Sequence, residues 1–391
     1  MLERHRGTQI VKQGSEIRGK LNKPEIAPIY LTTAFHGEDL DDLEKYYSEK
    51  GYTYNRIRNP NRNSLAELVT YLENGEDSII CSSGMAAIST MLLSLLEKGD
   101  HVIANKNLYG ESLDFLKVLS KYGIESTNVD FNNTEEIKSA IRHNTKILYT
   151  ETISNPLMTV VDIEAVSKIA HSNNAKLIVD NTFATSLIYI PLDHGADVSI
   201  NSLTKFANGH SDVVGGSATA SRVTIEKSRS LQALLGCTMD PFTSFLCQRG
   251  IRTMDLRVKK QMENADKLAK FLDSNPHVLK VNYPSLESHP QHELAKRIFR
   301  NGYGAMLSFE MPDDRNKINR FMQELNIVEY AMTLGGYCTT LSYPVMSSHF
   351  QFSKEERLEM GITNGLMRVS VGIEDIEDLI CDFTQALRVF E

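Results

Sequence analysis

The chain has 391 residues, 41% of them hydrophobic, and a formal charge of −8 at pH 7. That length suggests about two domains with material for a large core, while the acidic balance argues against a nucleic-acid surface and no run of ~18 uncharged apolar residues offers a membrane span. Five cysteines, Cys81, Cys237, Cys247, Cys338 and Cys381, lack CxxC or CxxH spacing, so neither a disulfide frame nor a zinc site is suggested, and reduced, mostly buried thiols are expected.

The opening Met1-Leu2-Glu3-Arg4-His5-Arg6 lacks the apolar core of a signal peptide, so a cytoplasmic protein is expected. Residues 1–52 read as an arm, in which Pro24, Pro28 and the acidic stretch from Glu38 to Glu44 suggest one short amphipathic helix. From about Ser64 to Ala220, helical stretches alternate with short apolar strands at 79–81, 101–104, 126–129, 146–150, 177–180, 198–200 and 216–220. Repeated strand–helix units imply an α/β fold with a large, mainly parallel sheet covered on both faces, spanning residues 53–240. From Pro241 a long charged helix is expected through Asp255, Lys259 and Asn264 to Leu272, with Arg257-Val258-Lys259-Lys260 as a solvated face. Segments 305–309 and 366–370 then read as strands of a smaller α/β domain, 241–391, closed by a helix over 375–389.

Three places carry chemistry. After the first strand, Ser83, Gly84 and Met85 open an apolar helix running to about Leu96. Small residues at such a turn expose successive backbone N–H groups where the helix dipole favours a phosphate dianion; the turn equally fits an N-cap with no ligand. The strand from Ala175 ends on Asp180, at the edge where parallel sheets deliver functional side chains. A carboxylate there can keep a pyridine nitrogen protonated, or can cap the next turn. Ser202-Leu203-Thr204-Lys205 follows the strand at 198–200, with the turn Asn208-Gly209-His210 behind it. A lysine at the carboxyl end of a buried strand suits an aldehyde cofactor held as a Schiff base, with flanking hydroxyls catching a phosphate. An isolated lysine is otherwise a solvated charge; the surroundings favour pyridoxal 5′-phosphate.

Around these residues the chain resembles the Cys/Met-metabolism (trans-sulfuration) group of pyridoxal-phosphate enzymes, which includes methionine γ-lyases, cystathionine γ- and β-lyases, cystathionine γ-synthases and homoserine-ester sulfhydrylases. The matching motifs are Tyr54-Asn55-Arg56 with Asn59-Pro60, Ser82 to Ala87, Leu108-Tyr109-Gly110, Glu151-Thr152 with Ser154-Asn155-Pro156, Asp180-Asn181-Thr182, Ser202 to Lys205, Arg249 to Thr253, Glu287 to Pro290 and Arg368 to Asp375. They cover nearly the whole chain in the family's order.

The resemblance implies a fold-type-I pyridoxal-phosphate transferase fold, with Lys205 as the Schiff-base residue and proton shuttle, Asp180 on the pyridine nitrogen and Asn155 on the ring's 3′ oxygen. Ser83, Gly84, Met85, Ser202 and Thr204 would hold the phosphate, with Thr182 also among the cofactor contacts. Tyr109 would stack on the ring and protonate a departing thiol, and Arg368 would grip the substrate α-carboxylate, with Thr333, Tyr54 and Asn155 beside the substrate. Tyr54 and Arg56 would reach the phosphate of a neighbouring subunit, which implies a homo-oligomer, a tetramer built as a dimer of dimers, with shared sites and the arm packed on another subunit.

The reaction is less determined than the cofactor. Where family members differ, this chain carries Met332, apolar as in methionine γ-lyases, followed by Thr333 in place of a serine. Other departures are Glu111 after Tyr109-Gly110, Ile153, Asn61 and Tyr337-Cys338. Glu111 could raise the tyrosine's pKa, bind a cationic tail or face solvent. Three readings follow: γ-elimination on a sulfur amino acid such as methionine or cystathionine, γ-replacement on a homoserine ester, or a non-catalytic cofactor-binding subunit. The loop from Gly37 to Gly51 is expected at the mouth of the site.

Overall fold

The computed structural model describes residues 6–13, 24–49, 51–350 and 352–391 and builds them around two β-sheets. The larger holds β1 (Asp77–Cys81), β2 (His101–Asn105), β3 (Glu125–Val129), β4 (Thr145–Glu151), β5 (Lys176–Asp180), β6 (Val198–Asn201) and β7 (Gly216–Ala220). Their spatial order is β1-β7-β6-β5-β4-β2-β3. All run parallel except β7, which is antiparallel to both β1 and β6. Alternation of helix and strand therefore stops at β6, and residues 202–215 lead into β7 without a crossover helix.

The strands are apolar because both faces are covered, the usual condition of a parallel sheet. On one face the helices Gly84–Leu95 and Gly110–Ser120 bury Ile88, Met91, Leu113 and Leu116 against Ile79, Val102 and Tyr149. On the other, the helices Pro60–Leu72 and Ile163–Ser172 bury Leu65, Leu68 and Val166 with Ile80, Leu148 and Val179. Local chemistry sets the helix starts: Asn59 caps Asn61 N–H ahead of Pro60, and Ser83 caps Ala86 N–H.

The smaller sheet holds β8 (Lys280–Asn282), β9 (Met306–Glu310), β10 (Glu329–Tyr330), β11 (Thr340–Ser342) and β12 (Leu366–Ser370), in the order β10-β11-β12-β9-β8. It is antiparallel apart from the β10–β11 pair. Phe309, Phe321 and Phe383 meet at centroid distances of 6.0–6.2 Å beneath the helix Ile376–Leu387.

Several expectations need correction. The helix expected from Pro241 to Leu272 is two, Pro241–Ile251 and Met254–Asp273. At the break, the Gly250 carbonyl accepts from the Thr253 N–H and hydroxyl and from Arg257. Arg257 and Val258 are buried rather than solvated; only Lys259 of that quartet fully faces water, paired with Asp255. Among its described residues the arm contains two helices, Arg6–Lys12 and Leu40–Ser48. The first packs Ile10 into this chain's own core, and Arg252 donates to the Ile10 carbonyl; the second buries nothing. Of the cysteines only Cys81 and Cys247 are buried, while Cys338 and Cys381 are exposed. Among the described residues no helix is long and apolar enough to cross a membrane, and no cluster of ligating side chains could hold a metal.

Candidate active site

β1, β2, β4, β5 and β6 all end on one edge of the large sheet, and β12 of the small sheet faces that edge. Between them lies a cleft of about 660 Å³. Its walls bring together Ser83, Gly84, Met85, Tyr109, Asn155, Asp180, Thr182, Ser202, Thr204, Lys205 and Arg368, residues drawn from positions far apart in sequence. This is the place where open α/β sheets bind ligands.

Each side chain has a local reason for its position. The first N–H groups of the helix Gly84–Leu95, those of Gly84 and Met85, have no intrahelical partner. β7 crosses directly behind them: a Cβ on Gly216 would lie 2.2 Å from the Ser83 carbonyl oxygen, so only glycine lets this strand approach the turn. Asp180 Oδ1 accepts from the Thr182 N–H at 3.0 Å and from its hydroxyl at 2.5 Å. The Thr182 oxygen in turn accepts from the Ser202 N–H at 2.8 Å, tying the ends of β5 and β6 together. The Thr204 hydroxyl is engaged with the Gly215 backbone, to which it donates at 3.2 Å and from which it accepts at 3.0 Å.

Lys205 stands in the cleft with no hydrogen-bond or ion-pair partner for its amine among the described residues. Burial, and then the neighbouring Arg368 charge, lower its pKa. Gly335, at φ +78°, brings the loop after Met332 onto the backbone of Lys205 and Phe206, where a Cβ would lie 2.5 Å from the Phe206 nitrogen. Arg368 is buried, donates to Asn155 Oδ1 at 3.0 Å and to the Thr333 carbonyl at 3.2 Å, and leaves its Nε unpartnered. Among the described residues no carboxylate neutralises it, and burial lowers its pKa to about 10. A buried cation with an unused donor is a seat for an anionic ligand group.

Glu151 and Asp180 sit side by side across β4 and β5. Burial and the adjacent Asp180 charge push Glu151 well above the usual carboxylate range; burial raises Asp180 as well, against the pull of the two Thr182 donors. Glu151 accepts the Tyr109 N–H at 2.7 Å and so fixes the loop that carries the tyrosine. The Tyr109 phenol is pushed up to about 12, by burial first and by Glu111 second.

Three sequence candidates lie elsewhere. Tyr54 and Arg56 do not line this chain's cleft; both are exposed, with the Arg56 guanidinium 5.7 Å from the Tyr54 ring centre and bonded to the Ala233 carbonyl. Thr333 touches Arg368 through its carbonyl rather than its hydroxyl, because Leu334 rather than Thr333 turns into the cleft. The described residues of the loop 37–51 line no part of the cleft either. Sequence reasoning missed Glu151 and Arg257 as site supports. Arg257 donates to the carbonyls of Phe206, Ala207 and Asn208 at 3.1–3.2 Å, holding the chain just after Lys205. The sole sequence signal for it was its place in the Arg249 to Thr253 neighbourhood.

A lysine amine without partners, a helix start with free N–H groups and a carboxylate opposite them form a donor set that fits a phosphorylated pyridine aldehyde. The family described as Cys/Met metabolism PLP-dependent enzyme matches residues 7–388. The chain belongs to that family. It is a pyridoxal-phosphate-dependent enzyme of the trans-sulfuration group. Over 366 residues, 92% of each chain, it is 39% identical to an L-methionine γ-lyase of Fusobacterium nucleatum subsp. polymorphum. Over 339 residues, 86% of this chain and 89% of the relative, it is 44% identical to a cystathionine γ-lyase of Bacillus subtilis strain 168. The crystal structure of a cystathionine γ-synthase from Xanthomonas oryzae pv. oryzae, in complex with aminoacrylate and cysteine, superposes with a TM-score of 0.93 over 98% of both chains at 34% identity. The family's fold-type-I architecture, a mainly parallel sheet with a second small sheet, is the one described above.

Proposed function

We propose that this enzyme carries out γ-elimination on a sulfur amino acid, methionine or cystathionine, releasing a thiol, ammonia and a 2-oxo acid. The observation that carries the reading is Arg368, a buried guanidinium with no carboxylate partner among the described residues, which faces the same cleft as Lys205 and Tyr109. It suits the α-carboxylate of an amino acid, for which a planar two-donor group is the better partner.

Pyridoxal 5′-phosphate, when bound, supplies the electron sink for the pair released at the substrate Cα. Lys205 would hold it covalently, Asp180 its ring nitrogen, and Ser83, Gly84, Met85, Ser202 and Thr204 its phosphate, with Tyr109, Asn155 and Thr182 around the ring. The Lys205 amine, its proton affinity lowered by burial and Arg368, is the group that takes and returns protons at Cα and Cβ. Tyr109, protonated through neutral pH, donates to the departing sulfur.

Met332, Leu334 and Ile88 give the cleft apolar lining suited to a methylthio tail, whereas Glu111, which also lines it, suits the distal ammonium of cystathionine. The likeness to a γ-synthase supports a second reading, γ-replacement on a homoserine ester. Exposed Tyr54 and Arg56 support a homo-oligomer, a tetramer with sites completed between subunits, and a cytoplasmic location is part of the same proposal. Incubating purified protein with methionine, cystathionine and homoserine esters, with and without cysteine, tests the reading. Formation of 2-oxobutanoate from methionine or cystathionine is expected. Condensation of cysteine with an ester, without 2-oxobutanoate from either amino acid, overturns it in favour of the transferase. An absorption band near ~420 nm that no amino acid alters would indicate an inert cofactor-binding subunit.

A further inference from the structure

β6 and β7 pair Asn201 with Ser217, so the two side chains stand on the same face of the large sheet. Ser199, two residues earlier on β6, shares that face and donates to Glu73 Oε2 at 2.7 Å. Glu73 comes from just beyond the helix Pro60–Leu72, which packs on β1 and β7. Here the fold leaves an internal cavity of about 20 Å³, lined by Glu73, Asn201 and Ser217 among apolar neighbours such as Leu72, Leu203 and Ile251. Thr182 and Ser202 line this cavity and the cofactor cleft alike, so the cavity lies directly behind the cleft floor.

Asn201, Ser217 and Glu73 are only 8%, 0% and 3% exposed. Even so, Asn201 Nδ2 and Ser217 Oγ find no hydrogen-bond partner among the described residues. Buried polar groups are nearly always bonded, and a cavity stays dry when its lining is apolar but holds water when polar groups converge on it. A volume of about 20 Å³ is room for a single water.

We propose that this cavity is an internal hydration site. One water accepts from Asn201 Nδ2, exchanges a hydrogen bond with Ser217 Oγ and donates to the Glu73 carboxyl, the three partners that buried waters commonly have. Holding one water costs less than leaving two buried groups unpaired. The site bears on the cofactor through the backbone: Asn201 directly precedes Ser202, whose N–H is bonded to Thr182 Oγ1 at 2.8 Å, and Thr182 in turn donates to Asp180. The water thus makes Asn201 and Ser217 positioning residues for the floor that carries Ser202 and Asp180. None of this depends on which reaction the enzyme catalyses.

A crystal structure of the unsubstituted, cofactor-loaded protein tests occupancy without any variant. Density for a water within about 3.2 Å of both Asn201 Nδ2 and Ser217 Oγ is expected. A cavity free of density overturns the hydration site, and a centre ringed by oxygens at about 2.3–2.6 Å would be a cation and overturns water as the occupant. Positioning is tested with Ser217→Thr and Ser217→Val, which have the same shape and differ by one hydroxyl. Loss of the ~420 nm band during dialysis should be roughly 5-fold faster in Ser217→Val than in Ser217→Thr, which stays close to the parent. Equal rates in the two, with circular dichroism showing both folded, overturn the positioning part. Should Ser217→Val fail to fold, Asn201→Leu, which removes the donor to the same water, is read against the parent with the same two outcomes.

Discussion

Arg368 shows how one side chain can carry a substrate class. Its charge is buried, its donors reach a side-chain amide and a carbonyl, and one nitrogen has nothing to bond. Arg368→Lys keeps the charge but loses the planar fork, so kcat/KM for any α-amino acid should fall by on the order of 10–100-fold, mostly through KM. Steady-state kinetics checks this; an unchanged KM would remove Arg368 from the carboxylate site. Lys205, Asp180 and the Ser83 turn were legible in the sequence because each stands within a few residues of a strand end, and strand ends can be read from local pattern. Glu151 was not, since its work depends on Tyr109, 42 positions away. Thr333 meets Arg368 through its backbone carbonyl, a contact that leaves no mark on residue type.

At the scale of elements, the site depends on two close approaches. At Gly216, β7 presses on the Ser83 turn with no room for a methyl group. Gly216→Ala should cost about 1–3 kcal/mol of stability and weaken cofactor retention, measurable by denaturant unfolding and by equilibrium dialysis. Normal retention would mean that the turn does not hold the phosphate. At Arg257, a buried guanidinium bonds the carbonyls after Lys205. Arg257→Ala would leave those acceptors without donors, and a loss of about 3–5 kcal/mol in chemical denaturation is expected. The parallel sheet was readable from its apolar runs, but the burial of Arg257 was not: a basic quartet on a helix looks solvated until the loop it faces is known.

For the whole molecule, exposed Tyr54 and Arg56 lead to a complementation test. Mixed oligomers of inactive Lys205→Ala and inactive Arg56→Ala chains should regain part of the parent activity, since one site in such a mixture can be built from two unmutated halves. No recovery in mixtures shown to exchange subunits would confine the site to one chain. Stability should also depend on pH. Burial holds His289 and His349 at about 4, below their usual value, so the unfolded chain binds more protons between about pH 6.5 and 4. Their contribution is complete above pH ~6.5 and disappears as pH falls toward 4. Buried Glu73, raised to about 7, has the opposite sign: its contribution is complete below pH ~4.5 and is lost as pH rises through 7. Urea midpoints should therefore peak near pH 6–7 and fall on both sides. A midpoint that keeps rising from pH 7 to 8 would contradict the Glu73 part.

The connection between β6 and β7 has a bearing on protein engineering. Residues 202–215 are pinned at both ends to adjacent strands, and Lys205 sits near the start of that span. Adding or deleting a single amino acid there would displace the Lys205 amine by up to ~3.5 Å. Libraries aimed at new substrates should keep this stretch at constant length and diversify the cleft lining at Met332, whose side chain is exposed.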